Sequence, residues 1–106
     1  MLGTVGPLVT KSPVKPVDYE EVTVATAAIG LDATKVTNVF ATVVKFEAGP
    51  VRIRVDGTDP TATVGIPMYD GDYHVLNRQE SKLLKMIRTG ADSGKAYVTY
   101  YELKKE

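Results

Sequence analysis

From Tyr19 onward the chain alternates between apolar and polar positions. In YEEVTVA, Val22 and Val24 share a face with Glu20, while Tyr19, Glu21, Thr23 and Ala25 take the other. That is the two-residue period of a half-buried strand. TAAIGLDATKVTN breaks the rhythm, and Gly30 with Asp32-Ala33-Thr34 predicts a loop or one short helical turn. NVFATVVKFE is richest in β-formers, with Phe40, Val44 and Phe46 on one face and Val39, Ala41 and Val43 on the other. A strand apolar on both faces belongs in the middle of a sheet, or is covered on its second face by another subunit. VRIRV then points Val51, Ile53 and Val55 inward and Arg52 and Arg54 outward. Asp72 to Asn77 predicts another short strand. KAYVTYYEL predicts the last, with Tyr97, Thr99 and Tyr101 opposing Ala96, Val98 and Tyr100.

ESKLLKMIRTG carries two patterns at once. Apolar residues at 83, 84, 86 and 87 fit a helical face, with Ser81 as an N-cap and Gly90 just past the end. The apolar span is barely two turns long, and turn signals flank it on both sides, so a strand over 81–89 is the preferred reading. Six to eight short strands separated by turn signals predict an all-β chain: a single β-sandwich over residues 17–106.

Residues 1–16 differ from the rest. Pro7, Pro13 and Pro16 remove backbone donors and disfavour helix before them. Leu2, Val5, Leu8 and Val9 are nonetheless apolar for a solvated tail. Two readings compete: a disordered terminus, and an extended N-terminal arm that buries those side chains on a neighbouring subunit, gaining backbone bonds by strand addition at an open sheet edge.

Composition narrows the function classes. At 106 residues the chain is one domain with a modest core. With no cysteine, disulfides and thiolate metal sites are excluded. Thirteen basic residues balance thirteen acidic ones, which argues against nucleic acid or an anionic membrane as partner. No apolar run is long enough to span a membrane, and the N-terminus lacks the basic start of a signal peptide, so the chain is expected to stay where it is made. Six tyrosines against two phenylalanines suggest half-buried rings whose hydroxyls reach water or a partner.

VRIRVDGTDPTATVGIPMYDGDYHV is the stretch densest in candidate chemistry. Its pattern reads either as a β-hairpin with a long connection or as a site formed by Asp56, Asp59, Asp70 and Asp72. Asp56-Gly57 and Asp70-Gly71 are turn dipeptides. Pro60 and Pro67 stiffen the connection, so turn chemistry alone accounts for the residues. A calcium site would use the same aspartates, but the spacing fits no EF-hand loop. A phosphate cradle would need a helix after Gly57 or Gly65, and none is predicted. Sugar binding lacks a tryptophan or a clustered aromatic platform. The single histidine, His74, lies in a predicted strand, and no spacing of Ser, Thr, Asp and Glu marks a nucleophile with its base. No catalytic residue, cofactor or metal is expected.

RIRVDGTDPTATVGIPMYDGDYHVL, with the following apolar stretch and AYVTYYE, resembles a family of small tailed-phage virion proteins. The resemblance is carried by Arg52 to Arg54, the Asp56-Gly57-Thr58-Asp59-Pro60-Thr61 loop, Gly65, Asp70-Gly71 and Tyr97 to Tyr101. Ala27-Ala28-Ile29-Gly30-Leu31 and Val43 to Glu47 also fit, so the likeness covers about Val22 to Tyr101. It implies a jelly-roll-like β-sandwich that forms part of a phage particle. Within a virion the expected role is a capsid decoration or cement protein that binds the major capsid protein. The expected assembly is a homo-oligomer, a trimer being favoured, with Leu2, Val5, Leu8, Val9, Val39, Val43 and Tyr100 at the partner interface. A head–tail or tail component is the alternative within the particle, and a carbohydrate-binding β-sandwich module is the alternative outside that class.

Overall fold

The computed structural model describes residues 13–104. Among them seven strands form two antiparallel sheets with no closed barrel, an all-β, sandwich-like fold. The strands are β1 (Val14–Val24), β2 (Ala41–Ala48), β3 (Val51–Arg54), β4 (Ile66–Met68), β5 (Tyr73–Asn77), β6 (Lys85–Arg88) and β7 (Gly94–Leu103), with one short helix, α1 (Arg78–Leu83), between β5 and β6. One sheet runs β1-β7-β2-β5 and the other β4-β3-β6. β2, the strand expected to be central, is central.

Alternation decides what enters the core. Val22 and Val24 of β1, Val44 and Phe46 of β2, Leu76 of β5 and Ala96, Val98 and Tyr100 of β7 line the inner face of the larger sheet. Val51, Ile53, Met68 and Met86 meet them from the smaller one. β7 packs close to the turn between β2 and β3: a Cβ on Gly94 would lie 2.5 Å from Val51 Cγ2. Only hydrogen fits there.

Four expectations are corrected. Val51–Val75 is not one hairpin. β3 pairs with β4 and β6, whereas β5 pairs with β2 in the other sheet, so the long connection contains the short strand β4 and then crosses between layers. Pro67 is accommodated in β4 because that strand is an edge. The segment 81–89 is divided: α1 ends at Leu83 and β6 begins at Lys85. The helix is capped by Asn77, not Ser81. Asn77 Oδ1 accepts from Glu80 N–H at 2.8 Å and Glu80 Oε1 accepts from Asn77 N–H at 3.0 Å, a reciprocal capping box. Ser81 is instead buried: its Oγ donates to Asn77 O and lies 2.7 Å from Thr42 Oγ1. Since the serine hydroxyl has one proton, Thr42 is the donor in that pair.

The third correction concerns Val39 and Phe40. β2 begins at Ala41, after the 33–38 turns, and the bend there drops Val39 into the core and leaves Phe40 exposed, the reverse of the alternation extrapolated from Val44. The fourth concerns the interface residues. Val39 and Tyr100 are fully buried in the chain's own core, so neither is available to a partner. Val43 is half-buried on the opposite face of β2. Leu2, Val5, Leu8 and Val9 lie outside the described residues. The last residues of the expected arm, Val14 to Pro16, pair with β7 as part of β1.

Candidate functional site: the outer face of the four-stranded sheet

Register places the outer-face side chains in rows. One row runs Tyr19, Thr99, Val43, Val75, and the next runs Glu21, Tyr97, Lys45, Tyr73. Tyr101 and Ala41 adjoin the first row at the end of the sheet where Phe40 lies. Among the described residues no strand or helix covers this face. Sequence reasoning read Tyr97 and Tyr101 as one face of a strand. It did not see that Tyr19 and Tyr73 join them, because that depends on which strands neighbour β7 and β2. The clustered aromatic platform missing from the linear sequence is assembled by the register.

Polar groups on this face are largely committed to each other. Tyr97 donates to Glu47 Oε1 at 2.5 Å and Tyr19 to Glu21 Oε2 at 3.1 Å, while Lys95 Nζ stands 3.8 Å from Glu21. The hydrogen bond to Glu47, with lesser help from desolvation, pushes the Tyr97 phenol up to about 12. For Tyr19 desolvation and then the bond to Glu21 raise the phenol. Both phenols are thus held as neutral donors, suited to binding and not to acting as bases. At the β5 end, Phe40, Ala41, Val75 and Leu76 line a mainly apolar groove of about 700 Å³ closed by the start of α1.

Of the loop aspartates, three are bound to backbone and none of the four is brought into a cation cage. Asp56 takes Arg54 in a two-point contact at 2.5 and 3.1 Å and accepts from Thr58 N–H. The Arg54 guanidinium, and then the Thr58 amide, hold its carboxyl below the usual carboxylate range. Asp70 accepts from Ala48 N–H at 3.0 Å and Asp72 from Tyr69 N–H at 2.8 Å, with Gly71 at φ 90° closing the Tyr69–Asp72 turn. They are turn formers, as their dipeptides indicated. Among the described residues no three His, Cys, Asp or Glu side chains group in a way that holds a metal. His74 sits in β5 opposite Val44, half-buried.

On the inner side, one polar cluster closes the sandwich at its β1 end. The Tyr100 hydroxyl donates to Glu20 Oε2, which also accepts from Asp32 N–H. Lys35 pairs with Asp18 at 2.9 Å, lowering that carboxyl. Burial, and then the bond to Glu20, raise the Tyr100 phenol strongly. Through Asp32 and Lys35 this cluster fastens the segment entering the 33–38 turns to β1 and β7, so its chemistry is structural. Compared with protein-family models, curated proteins and solved structures, the chain matches none of them.

Proposed function

We propose that this chain is a non-enzymatic structural protein of a tailed-phage virion, a capsid decoration protein that stabilises the head by binding major capsid protein through the outer face of its four-stranded sheet. The observation that carries the reading is the contrast in polar groups. Asp56, Asp70 and Asp72 are tied to backbone, and the Tyr19, Tyr97 and Tyr100 hydroxyls to neighbouring carboxylates. A face of tyrosines and valines, centred on Val43, is left without cover among the described residues. Such a face suits a broad protein contact: tyrosine offers area at little rotamer cost, together with a hydroxyl for the rim. The phage assignment rests on the resemblance of Val22 to Tyr101 to virion proteins. A balanced net charge is compatible with a protein partner, and trimeric association would multiply modest contacts across the shell. A virion location follows from the same reading.

The test is occupancy on purified capsids of the phage that carries this chain. Wild type should saturate them and the double variant Tyr19→Ala, Tyr101→Ala should not, with both retaining a β circular dichroism spectrum. Binding to tail assemblies instead would establish the head–tail alternative. The tyrosine platform also favours a second reading, a carbohydrate-binding module, since rings on a sheet face can stack on sugars. A glycan panel separates the two: retention of a glycan that is lost with Tyr73→Ala and Tyr97→Ala would replace the decoration role.

A further inference from the structure

Four strand edges bound the two sheets, and three are blunted. β6 is covered: Arg88 N–H donates to Ala25 O at 2.9 Å, and Ile29 and Met86 exchange both backbone bonds. β4 is three residues long and carries Pro67. β1 carries Lys15, Pro16, Asp18, Glu20 and Glu21, with a register shift between Pro16 and Asp18. Charges, prolines and bulges are the devices that keep an edge from pairing with another chain. β5, YHVLN, has none of them. Among the described residues the only strand it pairs with is β2. Phe46 N–H donates to Asp72 O, so the alternation of an antiparallel ladder turns the N–H and C=O of Tyr73 and Val75 away from β2. Tyr73 and Val75 are 65% and 55% exposed, and Phe40 beside them 42%. Outward-facing backbone groups next to an apolar groove are what an added strand requires.

We propose that β5 receives residues 2–9 of a second copy of this chain as an added strand. The segment fits by charge, by origin and by length. Its first ten residues, like β5, carry no charged side chain, so pairing strands no charge out of water. Pro13 O accepts from Lys104 N–H at 2.9 Å, which keeps Pro13 in line with β1 and β7. Pro13 therefore lies at the end of the sheet at which Phe40 and the groove also lie. Twelve residues span up to about 40 Å when extended, enough to reach a neighbour. Pro7 has no N–H to give, so it takes the solvent side of the new edge. Thr4, Gly6 and Leu8 then present their backbone groups to Tyr73 and Val75. Val5 and Val9 share one face and Leu2 and Leu8 the other, so one pair meets the groove. Each copy gives one segment and takes one, so every segment and every edge is paired only in a closed assembly.

Capsids play no part in the test, so it is decided independently of the particle-binding role. Among the described residues every core side chain lies within Val22–Tyr100, so a chain lacking residues 2–12 keeps that core. Sedimentation of the full chain should show a closed oligomer, with the truncated chain and the full-length Val75→Lys variant monomeric and still β by circular dichroism. A peptide of residues 2–10 should bind the truncated chain and lose binding when that chain also carries Val75→Lys. Association that survives truncation would overturn the proposal, because the interface would then be formed without the segment. A full-length monomer whose truncated form still binds the peptide would assign the segment to its own edge and overturn the second-copy claim. No peptide binding at all would overturn both.

Discussion

The two faces of the four-stranded sheet are built from the same strands and similar residue types, yet they meet opposite fates. On the inner face Val22, Val24, Val44, Phe46, Leu76, Ala96, Val98 and Tyr100 are closed over by the second sheet. Its polar atoms are paired off, Thr42 with Ser81 and Tyr100 with Glu20. On the outer face Tyr19, Val43, Tyr73, Val75 and Tyr101 form a comparable array that no described element covers. The lesson is that a period of two identifies the faces of a strand but not which face is covered. The covered face is set by the second sheet, whose strands β3, β4 and β6 are three or four residues long.

Predictions sharpen this contrast, beginning with the largest effect. Phe46→Ala removes an inner-face ring that is fully buried and should cost about 3–5 kcal/mol. Tyr97→Ala, one residue row away on the outer face, should cost no more than about 1 kcal/mol. Urea titrations compare them, and similar costs would mean that the outer face is covered after all. Next, Gly94→Ala forces a Cβ against Val51 Cγ2 at 2.5 Å, an overpacking expected to cost about 1–3 kcal/mol. The double variant Gly94→Ala, Val51→Ala should lose less than the two single changes added together.

An effect of similar size tests the buried hydroxyl pair. Ser81→Ala removes the acceptor for Thr42 and the donor to Asn77 O, leaving a buried hydroxyl unpaired, and should cost about 1–3 kcal/mol. Thr42→Val keeps the Ser81 bond to Asn77 O and should cost less, so the order of the two melting temperatures tests the assigned donor direction. The smallest effect near neutrality is in pH dependence. Tyr100, Tyr97 and Tyr19 all have phenols raised above 10.0 in the fold. The folded state holds those protons after the unfolded chain has released them. Stability is therefore whole below pH 10.0 and falls as pH rises beyond it. Tyr100→Phe should flatten the loss of melting temperature between about pH 9 and about pH 11, and an unchanged slope would contradict the burial of that hydroxyl.

How much of this was legible in the sequence follows from the range of each interaction. Alternation in β1, β2, β3 and β7 is local and was readable, as were the turn aspartates Asp56 and Asp72, whose partners lie within three residues, whereas the bond of Asp70 to Ala48 N–H spans 22 residues. The errors arose where distant chain decides. Val39 and Phe40 exchanged faces because the 33–38 turns feed β2 through a bend. The helix over Arg78–Leu83 was obscured because its cap, Asn77, also reads as the end of a strand. Tyr100 was assigned to an interface because tyrosine reads as amphipathic. Its hydroxyl is in fact satisfied inside by Glu20, eighty residues away in sequence. The tyrosine array had no signal in any single segment, since it exists only once β1, β7, β2 and β5 lie side by side.

The central claim is that the outer face is the working surface, and capsid occupancy tests it most directly. Purified capsids are loaded with wild type, with Phe46→Val on the inner face and with Tyr19→Ala, Tyr101→Ala on the outer face, at a temperature where all three are folded. The account predicts that wild type and the inner-face variant bind equally while the outer-face variant is lost from the particle despite being the more stable of the two. Equal occupancy by all three would contradict it.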